Sequence, residues 1–477
     1  MGSRPLALAV SLALGLLAPS AGAADLQKRL AAALEHPGLR GARVAALAVR
    51  ADDGALLFAR SPDLPLAPAS NLKILTALAA LETFGPAHVF TTRVLADRAP
   101  DAEGAVGVLM VEGGGDPALT SEQLWRLAAD LRRRGLRSVA HGLVVDDSAF
   151  DAQRWNAGWS GVSARAYHAP IGAFSANYGA FEVEVRPAAR AGQPALAVLD
   201  PPVPYLRLLN RARTREAGTP LKLVVERAAG NGDEQVRVEG ALPAGAEPQS
   251  IWRSVAEPAL YAGAVLRMQL EAVGIRVEGA TRRGRVADGA VELLAFEGYP
   301  LARIVSLFVK YSSNPVAESL LKSMGRAATG SPGSWDNGRQ ALLASLARLG
   351  LDTAGLTLVD GSGLATDDRV TPRILVGALR VARASFRFGP ELVTALPIAG
   401  TDGTLEKRAL EIPGAVRAKT GLLDGVTGLS GFAEAPSGER VFSVLVNGYT
   451  GGDEAAMAAL DGFAAALADQ EDRRSRP

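Results

Sequence analysis

The chain has 477 residues, 48% hydrophobic and 21% charged, enough for two to four domains of roughly 100–200 residues with buried cores. Its 51 Lys and Arg balance 50 Asp and Glu, which argues against a polyanion-binding surface and so against nucleic acid as a partner. The absence of cysteine excludes disulfides, thiol catalysis and thiolate-held metals, and the four histidines, His36, His88, His141 and His168, include no pair at metal-ligand spacing; no metal and no other cofactor is expected.

Residues 1–23 read as an export signal: a positive charge at Arg4, an apolar stretch from Pro5 to Ala18, then the small-x-small run Ala21-Gly22-Ala23 suited to signal peptidase. This places the mature chain in the periplasm or an equivalent extracytoplasmic space. The apolar stretch is shorter than the roughly 20 residues that span a bilayer, and no later segment reaches that length without a charge or proline. The mature chain is therefore expected to have no transmembrane span.

Further along, Val44–Arg60 predicts two short strands around an Asp52-Asp53-Gly54 turn. Leu72–Leu81 (LKILTALAAL) is almost wholly apolar and predicts a helix buried in the middle of a domain. Between about 95 and 285, Val-rich segments such as VGVLMVEGG, GLVVDD, AFEVEVRP, KLVVER and QVRVEG alternate with Gly, Pro and Asp, the pattern of an inserted, mostly β region. Within it, Arg132-Arg133-Arg134 before Gly135 reads as a solvated helix C-terminus, and Trp155 and Trp159 as core residues. From Leu301 onward helical periodicity returns (LARIVSLFVK, PVAESLLKSM, GRQALLASLARLG, PRILVGALRVAR), followed by strand candidates at 416–419, 428–433 and 441–447 and an Ala-rich helix. The fold class is α/β (α+β), and the lack of a 20–50-residue period disfavours a solenoid or propeller.

Lysine is scarce. Only seven of the 51 basic residues are Lys, and chemistry that needs a neutral amine demands Lys, because Arg effectively never deprotonates. In Ser70-Asn71-Leu72-Lys73, at the start of the apolar helix, residues three apart share a face, so the hydroxyl and amine can meet as an activated nucleophile. Read alone, the pair is more simply an N-cap serine and a snorkelling lysine. A second copy, Ser319-Leu320-Leu321-Lys322, reads as an ordinary amphipathic helix surface. Ser312-Ser313-Asn314 can place a hydroxyl and an amide beside a nucleophile. Lys419-Thr420-Gly421, on an edge strand, can offer an ammonium and a hydroxyl to a carboxylate, with Gly421 allowing close backbone approach.

In this order the three segments form the S-x-x-K, S-x-N, K-T-G signature of penicillin-interacting serine enzymes. With PASNLKILTALAAL (68–81), GGGDPALT (113–120), GLVVDDSAFD (142–151), SWDNGRQALLASLARLG (334–350), LVDGSGLATDDRVTP (358–372), LPIAGTDGTL (396–405) and VRAKTGLLDGVTGLSGF (416–432), the chain resembles the low-molecular-mass class C penicillin-binding proteins, the D-alanyl-D-alanine carboxypeptidase/endopeptidases of the peptidase S13 family. The resemblance implies a β-lactamase/penicillin-binding transpeptidase-like domain over 24–94 and 286–477, interrupted by one inserted domain over 95–185 and 251–285 and a second nested in it over 186–250. It implies Ser70 as acylated nucleophile, Lys73 as its base, held partly neutral by burial and by the charge of Lys419, and Ser312 as proton relay. Asn314 would hold the substrate amide and Lys73. Lys419 and Thr420 would bind the terminal carboxylate, Gly421 would admit it, and the backbone N–H groups of Ser70 and Leu422 would form the oxyanion hole. Asp360, Ser362 and Asp402 would support the site. The implied partners are peptidoglycan stem peptides and, as covalent inhibitors, β-lactam antibiotics.

Two departures stand out. Leu422 occupies a position where relatives commonly carry Thr or Ser, which shifts the expected preference from free D-Ala-D-Ala ends toward cross-links. Pro315 is expected to hold Asn314 in extended geometry. The competing readings are a non-turnover peptidoglycan- or partner-binding envelope protein and a β-lactamase-like esterase.

Overall fold

A computed structural model describes residues 21–230 and 232–468; residues 1–20 of the expected export signal lie outside the described residues. Among the described residues no helix is long and apolar enough to cross a membrane.

One five-stranded antiparallel sheet runs in the order Val416–Leu423, Val426–Ala435, Gly438–Asn447, Arg43–Arg50, Leu56–Arg60. Its first strand is an edge. Strand Arg43–Arg50 explains why both faces are covered: its six central residues are all buried, and because side chains alternate, Val44, Ala46 and Ala48 enter one core while Ala45, Leu47 and Val49 enter another. The first core takes in the helices Ala21–Ala33 and Asp453–Ala468. The second holds Leu72–Phe84, Leu301–Tyr311, Asn314–Thr329, Trp335–Arg348 and Pro372–Ala384. The hairpin expected around Asp52–Gly54 is present, with Gly54 at φ +75.

Helix Leu72–Phe84 is the centre of that second core. Every residue from Leu72 to Leu81 is buried, so each Leu or Ile contributes on the order of 1.5–3 kcal/mol, and the helix stops where Gly85, at φ +79, returns its N–H to the Leu81 carbonyl. An unbroken apolar core holds this helix rigid, and with it whatever stands at its N-terminus.

The inserted region has its own core. A second five-stranded sheet orders Thr281–Arg283, Leu143–Asp146, Leu109–Glu112, Val89–Ala96 and Val291–Pro300, so strands on both sides of residues 95 and 285 pair within it. Gln249–Ser254, Ala180–Arg186 and Leu196–Asp200 form a three-stranded sheet, and Glu234–Pro243 pairs with Leu206–Asn210, Arg213–Arg215 and Lys222–Ala229. Two helices stand in this mostly β region, the first at the helix C-terminus expected from Arg132–Arg134 and the second unexpected. Ser121–Arg133 ends in Arg132 and Arg133, with Arg133 solvated. Pro258–Ala272, which no sequence signal singled out, buries Tyr261, Val265 and Leu266 against the same core.

Candidate active site

Ser70 lies in the single turn Ala69–Asn71 that feeds helix Leu72–Phe84. Ala69 adopts φ +46, a left-handed conformation that costs a non-glycine residue roughly 1–2 kcal/mol and that the packing around it enforces. The turn presses on the edge strand. A Cβ at Gly421 would come within 2.6 Å of Asn71 Nδ2 and 2.8 Å of the Pro68 carbonyl, and one at Gly428 within 2.6 Å of Asn71 Nδ2. Glycine at both paired positions is what lets the Lys419-Thr420-Gly421 strand approach Ser70.

Lys73, fully buried, is the hub. Its Nζ donates to Ser70 Oγ at 2.9 Å, Asn314 Oδ1 at 2.7 Å and the Ser362 carbonyl at 2.8 Å. Asn314 Nδ2 donates to the Tyr167 carbonyl at 3.1 Å, which turns the amide oxygen toward Lys73. Burial brings the Lys73 amine down to about 8, against the opposing pull of Asp360, Glu318 and Asp368. Lys419, also fully buried, donates to the Thr420 carbonyl at 2.8 Å, and burial together with the Lys73 charge holds it well below the usual lysine range. Burial is the leading cause of both shifts, and the two ammonium groups oppose each other's charge.

A neutral amine keeps two hydrogens and one lone pair. Asn314 Oδ1 and the Ser362 carbonyl are acceptors only, so on losing a proton Lys73 retains its hydrogens toward them and turns the lone pair to the Ser70 hydroxyl. The environment that lowers the amine's proton affinity also aims it.

Ser312 caps helix Leu301–Tyr311 in the left-handed region, φ 61 and ψ 36, a further strained residue at the site. Asn314 corrects the expectation drawn from Pro315. It is the first residue of helix Asn314–Thr329, and the extended residue is Ser313, at φ −65 and ψ 117. A proline in the first helical turn lacks only an N–H that has no intrahelical partner. Thr420 Oγ1 donates to Thr404 Oγ1 at 2.7 Å, and Leu422 is 45% exposed.

The second S-x-x-K copy is a correction too. Ser319 and Lys322 are buried rather than on a surface; Lys322 Nζ binds Asp151 Oδ1 at 2.7 Å and the Gln153 carbonyl at 2.8 Å, and lies 3.6 Å over the Trp335 ring. It ties the helix that begins with Asn314 to the inserted region.

Glu318 escaped sequence reasoning, whereas Asp360 and Asp402 were expected as supports of the site. Glu318, fully buried, accepts from Trp335 Nε1 at 2.7 Å and from the Gly361 N–H; its four-residue spacing from Asn314 on an apolar helix face is the signal that could have revealed it. Asp360 accepts from the N–H groups of Ser362, Gly363 and Ala365 and from Trp159 Nε1. Asp402 binds Lys310 Nζ at 2.8 Å and the Ile398 N–H at 2.7 Å.

Residues 26–467 match the D-Ala-D-Ala carboxypeptidase 3 (S13) family. A D-alanyl-D-alanine carboxypeptidase from an Actinomadura species is 39% identical over 475 residues, 95% of this chain and 86% of that protein. The D-alanyl-D-alanine carboxypeptidase DacB of Haemophilus influenzae is 27% identical over 397 residues, 81% of each chain. The crystal structure of penicillin binding protein 4 from Haemophilus influenzae superposes with a TM-score of 0.78 at 25% identity, covering 94% of this chain and 98% of that one, and a structure of the same protein in complex with a β-lactam superposes with a TM-score of 0.74.

Proposed function

From the premise that this chain belongs to the D-Ala-D-Ala carboxypeptidase 3 (S13) family, we propose that it is an exported serine-type D-Ala-D-Ala carboxypeptidase and DD-endopeptidase acting on peptidoglycan stem peptides through an acyl-enzyme. Ser70 Oγ attacks the carbonyl carbon of the scissile D-Ala peptide bond and gives its proton to neutral Lys73 Nζ. The backbone N–H groups of Ser70 and Leu422 hold the oxyanion. The C–N bond breaks, the proton passes by way of Ser312 to the departing amine, and water then hydrolyses the ester on Ser70. Lys419 and Thr420 hold the carboxylate of the substrate, Gly421 leaves room for it, and Asn314 holds the substrate amide. β-Lactams enter the same path and stall at the ester. The domain division given above is proposed with it.

The observation that carries this reading is the hydrogen-bond arrangement at Lys73, two pure acceptors and one hydroxyl, which a protein that only binds peptidoglycan does not need. The test is labelling with a fluorescent penicillin. Wild type and Ser319→Ala are expected to label and Ser70→Ala to stay dark; a folded wild type that stays dark would hand the case to a non-turnover envelope protein.

A further inference from the structure

A cleft of about 560 Å³ opens beside the nested strands, and four of its nine lining residues are arginines: Arg165, Arg227, Arg237 and Arg253. Arg227 and Arg237 stand on the paired strands Lys222–Ala229 and Glu234–Pro243. Arg253 lies on strand Gln249–Ser254, and Arg165 is its antiparallel bridge partner.

These arginines differ in how they are neutralised. Arg227 pairs with Glu234 at 3.2 Å, and Arg237 pairs with Glu226. Arg165 and Arg253 have no carboxylate partner among the described residues. Arg253 is half-buried and fixed by two backbone acceptors, Nε to the Val225 carbonyl at 2.8 Å and Nη1 to the Trp252 carbonyl at 2.8 Å. Burial and the facing Arg165 both weaken its hold on its proton.

Like charges directly opposite each other on paired strands are destabilising. The fold nevertheless leaves these two arginines facing one cleft, with no carboxylate of the described residues between them. An external anion would supply the missing counter-charge, and guanidinium groups suit a carboxylate through bidentate contact.

Position says which anion. Two residues beyond Arg165, at most about 7 Å of chain, Tyr167 gives its carbonyl to Asn314. One short segment therefore forms a wall of the cleft and a contact of the catalytic cluster. We propose that the cleft is an anion subsite that takes carboxylates of the peptidoglycan polymer away from the scissile bond, those of a neighbouring stem peptide. The proposal rests on the peptidase reading above and assigns the inserted region a part in choosing polymer over short peptide.

The test uses the full chain with Arg165→Glu, at an exposed position, and Arg165→Lys, which keeps the charge. Three rates are compared: turnover of a short D-Ala-D-Ala peptide, turnover of purified peptidoglycan stripped of phosphate polymers, and acylation by penicillin. Arg165→Glu is expected to lower turnover of stripped peptidoglycan about tenfold, to leave the other two rates within about twofold, and to do so less at high salt; Arg165→Lys is expected to restore most of the loss. An equal fall on both substrates, or no fall on peptidoglycan, overturns the proposal. A loss confined to walls that retain phosphate polymers overturns the carboxylate assignment in favour of phosphate. Co-sedimentation of both variants with stripped peptidoglycan separates the two readings: if wild type fails to acylate, the Ser70 mechanism falls, and Arg165-dependent co-sedimentation still decides the subsite.

Discussion

Asn314 and Glu318, one helical turn apart at the start of helix Asn314–Thr329, close on Lys73 by two routes. Asn314 touches Nζ directly at 2.7 Å. Glu318 holds the Gly361 N–H, and the next residue, Ser362, presents its carbonyl to Nζ at 2.8 Å. One rigid helix face thereby places both acceptors that leave Lys73 with a lone pair for Ser70.

This coupling makes Glu318 a positioning residue. Glu318→Ala leaves the Trp335 and Gly361 N–H groups buried without acceptors, a cost of about 1–3 kcal/mol each, and frees the loop that carries Ser362. Denaturant unfolding is expected to show a loss of about 2–6 kcal/mol, and penicillin acylation to slow at least tenfold. Glu318→Gln keeps one acceptor and is expected to lose less of both. Wild-type acylation in a folded Glu318→Ala protein would refute the role.

Lys73, brought down to about 8 by burial, sets a direction with pH. The base must be neutral, so below pH 8 the reactive fraction falls about tenfold per unit, and above it the rate levels off. Lys419 does not reverse this trend at saturation, because a bound carboxylate favours its charged form. The acylation rate constant at saturating penicillin, followed from pH 6 to pH 9.5, is expected to rise through an inflection near 8. A flat or falling profile rejects Lys73 as the base.

Asp360 and Asp368 meet side chain to side chain in the interior behind Lys73, and burial first, then the Asp360 charge, raises the proton affinity of Asp368. Asp360 accepts four N–H donors, whereas Asp368 takes only the Val359 N–H and leaves Oδ2 without a donor. Asp368, buried against the Asp360 charge and short of donors, therefore holds its proton more tightly than a free carboxyl does. An acid whose folded proton affinity is raised is stabilising below its unfolded pKa of about 4 and loses that contribution as pH rises. Asp368→Asn does not titrate, so its melting temperature relative to wild type is expected to climb between pH 4 and pH 7. Asp360→Asn sets an NH2 against buried donors and is expected to cost at least about 3 kcal/mol. A melting temperature of Asp368→Asn that keeps a constant offset from wild type across this range would refute the raised proton affinity of Asp368.

What could be read in the sequence was what depends on spacing. Ser70 and Lys73 share a helix face because they are three apart, the run from Leu72 to Leu81 is apolar on all sides because its helix is buried on all sides, and the alternation in Val44–Val49 resolves into two cores because both faces of its sheet are covered. What could not be read was what depends on backbone atoms or distant partners. The carbonyls of Ser362 and Tyr167 that orient Lys73 and Asn314 carry no side-chain signature. Lys322 looks like a surface residue until Asp151, 171 positions earlier, arrives to neutralise it. Helix Pro258–Ala272 lies among Val-rich strands and breaks up its apolar face with Ala and Gly, so tertiary packing rather than local pattern specifies it.

Leu422 gives the last prediction. It stands on the exposed edge strand one residue past Gly421 and is 45% exposed, where a hydroxyl would reach solvent and a substrate carboxylate alike. A hydrogen bond to a charged group contributes about 1.5–3 kcal/mol, and 1.4 kcal/mol is about tenfold in rate, so its absence weakens the grip on a free D-Ala carboxylate more than on a cross-link whose neighbouring chain makes other contacts. Leu422→Thr is expected to raise kcat/KM on a free-ended pentapeptide at least tenfold while changing a cross-linked dimer about twofold or less. Equal gains on both substrates would mean that Leu422 does not set the preference, and a wild type that already cleaves the pentapeptide faster than the dimer would remove the preference itself.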